Sequence, residues 1–245
     1  MRVLAVIPAR LASTRLPRKP LREIAGEPML AHVVKAALAS PQLKAEYVVV
    51  ATDSEEIITY CRRHGWNAVM TSANHRSGTE RVREVAGTRD ADVYLNIQGD
   101  EPLTRPEHIA LLIDLMRDPA IEVGTLKTPA ASADIANPNA VKVVTDAAGR
   151  ALYFSRATIP FDRDGTSTVS YYKHLGFYAY RRSALERFCA WPESALERSE
   201  RLEQLRFLEN GVVIRVGETP FDTIGVDTEE DLQRVDALLR SGVRR

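Results

Sequence analysis

Short apolar runs alternate with helical patterns through the first half of the chain. They lie at residues 3–7, 47–51, 68–70, 93–97 and 123–126. The runs are rich in β-branched residues and end at turn or polar residues, which is typical of strands buried on both faces of a parallel sheet. Strands that alternate with helices predict an α/β fold with a doubly wound, mostly parallel sheet.

Capping signals place several helix boundaries. Apolar residues recur at helical spacing over residues 29–38, which predicts a crossover helix between the first two strands. Ser54 is a favoured N-cap for the next helical pattern, and Gly65 follows its end. Near the C-terminus, Thr228 and Asp231 have the spacing of a capping box, so the sequence predicts a last amphipathic helix there.

Residues 137–180 have a different pattern, in which shorter apolar pieces are separated by proline and glycine. Five aromatic residues crowd its end: Tyr171, Tyr172, Phe177, Tyr178 and Tyr180. We interpret this segment as an antiparallel arm that closes over a substrate or contacts a second subunit, with a core aromatic cluster as the alternative. Helical patterns follow at residues 183–189 and 199–208, and a strand at residues 212–216.

Composition narrows the class of protein. Lysine plus arginine and aspartate plus glutamate both total 33 in 245 residues, so no net field favours nucleic acid or an anionic membrane. Cys61 and Cys189 form neither a metal-spaced cluster nor a disulfide framework. The N-terminus resembles no signal peptide, and no apolar stretch approaches membrane-spanning length. We therefore expect a cytoplasmic protein that forms one domain over residues 1–245.

The loop after the first predicted strand carries four cations, namely Arg10, Arg15, Arg18 and Lys19. Small residues around Ser13 leave the backbone of this loop open to a ligand. Ligands of open α/β sheets bind beyond the carboxyl ends of the strands, and these cations suit phosphate oxygens. We interpret the loop as a polyphosphate site. A solvated basic loop is the alternative, because the glycine spacing of the known phosphate motifs is missing.

Two further loops carry candidate chemistry. Asp100 follows the strand at residues 93–97, and Mg²⁺ favours one or two carboxylates together with substrate oxygens. Capping of neighbouring backbone is the alternative role for this carboxylate. Residues 71–81 precede a helix and can read the edge of a base, with a helix cap by Thr79 as the alternative. Nothing in the sequence resembles the motifs of serine hydrolases, thiol redox proteins or zinc proteases.

Ordered blocks along the chain resemble one bacterial enzyme family. They lie at residues 3–20, 75–81, 96–102, 137–144, 151–160, 174–176, 202–206 and 225–228. Together they are similar to the 3-deoxy-manno-octulosonate cytidylyltransferases, also called CMP-Kdo synthetases, where Kdo is 3-deoxy-D-manno-octulosonate. The first block alone recurs across sugar nucleotidyltransferases, including CMP-sialate synthetases, whereas the joint order is specific.

The resemblance implies a nucleotide-diphospho-sugar transferase fold of Rossmann-like type. The implied reaction transfers CMP from CTP to the anomeric hydroxyl of Kdo and releases pyrophosphate, in lipopolysaccharide precursor synthesis. Mg²⁺ is the implied cofactor, and a homodimer built through residues 137–180 is the implied assembly. The alternatives are an acceptor such as 8-amino-Kdo or sialic acid, and a nucleotide-binding regulatory protein without turnover.

The resemblance also implies roles for individual residues. The catalytic set is Arg10, Arg15, Lys19, Asp100 and Asp227, of which Asp100 and Asp227 are the metal ligands. The nucleotide-binding set is Arg10, Ser13, Arg15, Lys19, Thr71, Arg76, Ser77, Gly78, Gln98 and Asp100. The sugar-binding set is Gln98, Arg156, His174, Tyr178, Glu203 and Gln204.

Some of these assignments have structural alternatives. Asp227 stands before a predicted helix, where aspartate is a favoured cap. Glu203 and Gln204 fit the solvated face of a helix equally well. His174 is also explained as a hydrogen-bonded core histidine. The family position that matches Arg18 often holds glycine, so the resemblance implies no role for this cation.

Overall fold

The computed structural model describes residues 1–12, 15–165 and 169–242. The strands are β1 (Val3–Ala9), β2 (Glu23–Ile24), β3 (Glu27–Pro28), β4 (Val48–Thr52), β5 (Asn67–Met70), β6 (Val93–Asn96), β7 (Val123–Pro129), β8 (Lys142–Thr145), β9 (Ala151–Ser155), β10 (Tyr172–Arg181) and β11 (Ile214–Glu218). The α-helices are α1 (Met29–Leu38), α2 (Glu55–Arg63), α3 (Gly78–Ala86), α4 (Pro106–Leu115), α5 (Ser132–Ile135), α6 (Arg182–Ala190), α7 (Ala195–Glu200), α8 (Leu205–Glu209) and α9 (Glu229–Arg240). Short 3₁₀-helices cover Lys19–Leu21 and Ala45–Tyr47.

The main sheet has the strand order β11-β7-β10-β6-β1-β4-β5. Strands β6, β1, β4 and β5 are mutually parallel, and β11 is parallel to β7. Strand β10 is antiparallel to both β6 and β7, and β8 joins β10 to β9 in antiparallel pairs. The predicted α/β fold with a mostly parallel sheet and antiparallel strands in the second half is therefore confirmed.

Strand β1 shows why the sheet is covered on both faces. Its alternate residues Ala5 and Ile7 lie in one hydrophobic core, and Leu4 and Val6 lie in another. Successive side chains of a strand point to opposite faces, so an uninterrupted apolar run needs packing partners on both sides. Helices α1 and α4 contribute to the first core, and helices α3 and α6 contribute to the second.

One predicted helix is wrong in extent. The pattern over residues 199–208 is divided between α7 and α8, because Arg201 adopts a left-handed conformation with φ of +55°. The buried Glu197 receives two hydrogen bonds from the Arg206 guanidinium, at 2.5 and 2.7 Å, which packs the two helices together. This tertiary ion pair outweighs the local helical pattern.

Lys142 is fully buried where β8, β9 and β10 meet. Its ammonium group donates to the carbonyl oxygens of Asn137, Ala140 and Arg156, at 2.7, 2.6 and 2.8 Å. All three donors of the ammonium are thus satisfied by backbone. Burial lowers the pKa of Lys142, which is the expected cost of removing a charge from water.

We expect Lys142→Met to lower the free energy of unfolding by about 2 to 4 kcal/mol, because it leaves buried carbonyl groups without donors. Urea unfolding measures the effect. Lys44→Met, at an exposed position, is the control and should change stability by less than about 0.5 kcal/mol. Equal midpoints for the two variants would mean that the buried ammonium has no structural role.

Among the residues that the structure describes, no helix combines the length and apolar character needed to cross a bilayer.

Candidate active site

The parallel strands bring the candidate loops to one edge of the sheet. Strands β6, β1, β4 and β5 point the same way, so the residues that follow them share the carboxyl edge. Arg10 follows β1 and is exposed, Thr71 follows β5, and Gln98 lies just beyond β6. Gly99 packs against β1 so closely that an added Cβ would lie 2.7 Å from the Pro8 carbonyl oxygen. Only glycine fits this approach.

Asp100 and Asp227 converge on one lysine. The Lys19 ammonium lies 2.6 Å from Asp100 Oδ2 and 3.0 Å from Asp227 Oδ1. Arg15 Nη2 lies 3.1 Å from the other carboxylate oxygen of Asp227. A backbone hydrogen bond of 2.9 Å from Val226 to the Asp100 carbonyl joins the two loops. The structure thus brings together four of the five residues of the predicted catalytic set, although they are far apart in the sequence.

The electrostatics of this cluster keep its members charged. Burial disfavours the Lys19 ammonium, but the carboxylates of Asp100 and Asp227 outweigh it and raise its pKa. Burial likewise opposes ionisation of Asp227, but Lys19 and Arg15 outweigh it and lower the pKa of that carboxyl. Neighbouring opposite charges favour the ionised forms. Asp227 is therefore an anion and Lys19 a cation at neutral pH.

The alternative role of Asp227 as a helix cap is wrong. Thr228 is the N-cap of α9, since its hydroxyl accepts the Asp231 amide at 3.2 Å. Asp231 completes the capping box by accepting the Thr228 amide at 2.9 Å. Both carboxylate oxygens of Asp227 consequently face Lys19 and Arg15.

Arg18 lies apart from this cluster. It adopts a left-handed conformation with φ of +58°, and its guanidinium pairs with Glu56 at the start of α2. A positive φ favours glycine, so arginine carries a backbone cost here. The structure therefore does not bring Arg18 together with Arg15 and Lys19. Ser13, which belongs to the predicted nucleotide-binding set, lies outside the described residues.

The loop before α3 is held by side chains on that helix. Ser77 is the N-cap and accepts the Glu80 amide at 3.3 Å, so the alternative cap by Thr79 is wrong. Gly78 lies against Pro8 and Asn96, where an added Cβ would lie 3.4 Å from Pro8. The Arg76 side chain is exposed. Ser77 and Gly78 thus begin a helix beside the end of β1, and the N-terminus of a helix favours bound anions.

Arg81 and Asp53 hold the candidate nucleotide loop at Thr71, and neither was among the candidate residues predicted from the sequence. Arg81 is 3% exposed, donates to the Thr71 hydroxyl and lies 3.0 Å from Asp53 Oδ2. Thr71 also donates to the Thr52 carbonyl oxygen at 3.1 Å, so its hydroxyl holds the loop to β4. Asp53 directly follows a buried strand, which is the signal that could have indicated it.

Two of the predicted sugar-binding residues, His174 and Tyr178, lie on strand β10. Tyr178 pairs with Asn96 of β6 and is buried. The His174 ring lies 5.5 Å from the Tyr178 ring and 4.9 Å from the Phe154 ring, measured between centroids. His174 Nε2 lies 2.9 Å from the Thr125 hydroxyl, which itself donates to the Phe177 carbonyl oxygen at 2.7 Å. This network assigns the ring proton to Nε2 and leaves Nδ1 as an acceptor.

We expect the native chain to lose more stability than His174→Gln when the pH falls from about 7 to about 5. Burial lowers the pKa of His174 to about 3. An unfolded histidine titrates near about 6.5, so the unfolded state alone gains a proton and the native chain loses about 2 kcal/mol by pH 5. Glutamine keeps a donor for Thr125 but does not titrate. Urea unfolding at both pH values measures the two losses in the free energy of unfolding. Equal losses in the native chain and in His174→Gln would contradict this expectation.

Arg156 and Glu203 are held by contacts with segments other than β10. The Arg156 guanidinium donates to the carbonyl oxygens of Pro138 and Glu200, at 2.9 and 2.7 Å, so its contacts in this structure are with backbone. Gln204 is 4% exposed, and the Glu203 carboxylate accepts the Thr79 hydroxyl at 2.5 Å. The solvated helix face considered for these two residues is therefore wrong, since the break at Arg201 turns them inward.

Cations and paired carboxylates at the carboxyl edge of a doubly wound sheet indicate a nucleotidyltransferase. A cytidylyltransferase family model matches residues 4–216. A 3-deoxy-manno-octulosonate cytidylyltransferase of Koribacter versatilis is 67% identical, covering 98% of this chain and 91% of its own. A 3-deoxy-manno-octulosonate cytidylyltransferase of Acidobacterium capsulatum is 59% identical, covering 98% of this chain and 97% of its own. A solved CMP:2-keto-3-deoxy-manno-octonic acid synthetase complexed with CTP has a TM-score of 0.94 and 43% identity, over 99% of this chain and 100% of the other. The chain belongs to the 3-deoxy-manno-octulosonate cytidylyltransferase family.

Proposed function

We propose that this chain transfers CMP from CTP to the anomeric hydroxyl of Kdo and releases pyrophosphate. The observation that carries this proposal is the convergence of Lys19, Asp100 and Asp227. The chain covers nearly the whole length of a structure that was solved with CTP, at 43% identity. The product supplies lipopolysaccharide synthesis, and the cytoplasmic location stays a prediction of the sequence.

The chain's own residues position the reactants and neutralise charge. The sugar hydroxyl attacks the α-phosphorus in line, a new P–O bond forms, and the bond to the β-phosphate oxygen breaks as pyrophosphate leaves. Arg10 and Arg15 are guanidinium groups that can grip two phosphate oxygens, and Lys19 offers a compact charge to the leaving group. Phosphoryl transfer asks a protein mainly for this positioning and neutralisation.

We further propose that Asp100 and Asp227 hold Mg²⁺. The described residues contain no cluster of three or more histidine, cysteine, aspartate or glutamate side chains suited to a metal. Two converging carboxylates still fit Mg²⁺, which takes one or two protein carboxylates and completes its shell with substrate oxygens and water. When bound, the ion would polarise the α-phosphate and ease deprotonation of the sugar hydroxyl.

The sugar pocket we propose is formed by Gln98, Arg156, His174, Tyr178, Glu203 and Gln204. His174 Nδ1 accepts a sugar hydroxyl, because Nε2 already donates to Thr125. Gln98 has an amide that can donate and accept together, so it suits both the nucleotide and the sugar. The homodimer remains part of this proposal, supported by the arm residues Leu152 and Phe161, which are 61% and 84% exposed.

Pyrophosphate release with a panel of substrates tests the proposal. We expect turnover with CTP and Kdo, and a kcat/KM at least about a hundredfold lower with UTP, since a site that pairs the cytosine amine leaves a polar group unmatched with uracil. The acceptors compared are Kdo, 8-amino-Kdo and sialic acid. If 8-amino-Kdo or sialic acid gave faster pyrophosphate release than Kdo, that sugar would be the acceptor instead.

A further inference from the structure

A chain of hydrogen bonds runs from the end of β6 to the turn before α8. Gln98 Nε2 donates to Asn96 Oδ1 at 3.4 Å. Asn96 Nδ2 donates to Thr79 Oγ1 at 3.4 Å, and Thr79 Oγ1 donates to Glu203 Oε1 at 2.5 Å. Four residues from three separate parts of the sequence are joined in this way.

The chain has one direction. A carboxylate oxygen only accepts, so the single hydroxyl proton of Thr79 goes to Glu203. Thr79 Oγ1 must then accept, both from the Asn96 amide and from the Tyr180 hydroxyl 3.4 Å away. This fixes the Asn96 carbonyl oxygen toward Gln98. Consecutive hydrogen bonds with the same direction strengthen one another.

Water does not replace the central members of the chain. Thr79 and Asn96 are both 0% exposed. Burial raises the pKa of Glu203, and the hydrogen bonds from Thr79 and Ser77 oppose that shift. The conformation of the Glu203 carboxylate therefore depends on donors in the first turn of α3.

Thr79 connects the proposed nucleotide loop to the proposed sugar pocket. Ser77 and Gly78 begin α3 and belong to the proposed nucleotide loop, and Thr79 is the next residue. Glu203 belongs to the proposed sugar pocket. A ligand that orders the first turn of α3 consequently also orders Glu203, and the converse must hold because coupling between sites is reciprocal.

We propose that Thr79 is a positioning residue whose hydroxyl couples occupancy of the CTP site to the affinity of the Kdo site. The inference rests on the proposed function, since it takes both sites from it. Thr79 itself touches neither substrate in this account. Its hydroxyl holds Glu203 in the arrangement that the acidic sugar meets, and a base bound at Ser77 and Gly78 orders the first turn of α3, which carries Thr79.

Calorimetric titration of Kdo with and without an α,β-methylene analogue of CTP tests the coupling, because the bridging carbon prevents loss of pyrophosphate. We expect the analogue to lower the Kd for Kdo at least about fivefold in the native chain, within the usual range of such coupling. In Thr79→Val, which keeps the shape and loses the hydroxyl, the factor should fall below about two. In Thr79→Ser, which keeps the hydroxyl, it should stay near the native value.

Tyr180→Phe is the matched control, since it removes the other hydroxyl on Thr79 Oγ1 and leaves the bond to Glu203. It should keep the native factor. If Thr79→Val does not fold, Thr79→Ala removes the same hydroxyl with a smaller side chain and should also lose the analogue's effect on the Kd for Kdo. The proposal would be overturned if the folded Thr79 variant kept the native decrease in the Kd for Kdo. It would also be overturned if the analogue left the Kd of the native chain nearly unchanged. Failure of the native chain to bind either ligand would instead reject the proposed function.

Discussion

Asp100→Asn and Asp227→Asn should each lower kcat by at least about a hundredfold at ordinary Mg²⁺ concentrations, with folding retained. Asparagine has nearly the shape of aspartate but ligates Mg²⁺ poorly. The two carboxyl side chains are 37% and 49% exposed, so loss of their ion pairs should change the free energy of unfolding by less than about 1 kcal/mol. Pyrophosphate release across a Mg²⁺ titration, with a melting curve for each variant, measures both effects.

Asp236→Asn is the matched control for these two variants. Its carboxylate pairs with Arg240 on α9 and accepts the Ala25 amide at 2.7 Å, apart from the Lys19 cluster. Its kcat should stay within about twofold of the native value. Near-native turnover in Asp100→Asn or Asp227→Asn would remove that residue from the metal site.

Lys19→Met should lower kcat/KM at least about a hundredfold, whereas Arg18→Met should change it less than about threefold. The two cations are adjacent in sequence, but only Lys19 points to Asp100 and Asp227, and Arg18 pairs with Glu56. Steady-state kinetics with CTP varied at saturating Kdo measures the contrast. Equal losses in the two variants would show that the loop acts through its total charge, without a specific role for Lys19.

The parallel half of the fold follows from the sequence because its signals are local. Strand β1 is an apolar run, and β-branched residues with two-sided burial make such runs recognisable. The capping residues Ser54 and Thr228 were predicted for the same reason, and both accept the expected amide. Lys19 and Asp100 could be predicted as site residues because each lies in the loop that follows a recognisable strand, β1 or β6.

The remaining features depend on contacts between distant segments. Asp227 faces Asp100 because Val226 hydrogen bonds to the Asp100 backbone, and no spacing in the sequence encodes that bond. Glu203 turns inward because the chain reverses at Arg201, against the helical pattern of its neighbours. Only the family resemblance indicated these convergences beforehand, and the geometry supplies their physical reasons.

Phosphorus NMR of the products tests the central claim most directly. With CTP, Kdo and Mg²⁺, we expect the CTP signals to be replaced by one phosphodiester signal and by pyrophosphate, in equal amounts. Omission of Kdo should leave CTP intact, because the sugar hydroxyl is the attacking group. Formation of free CMP with pyrophosphate, or persistence of CTP in the complete mixture, would contradict CMP transfer to Kdo by this chain.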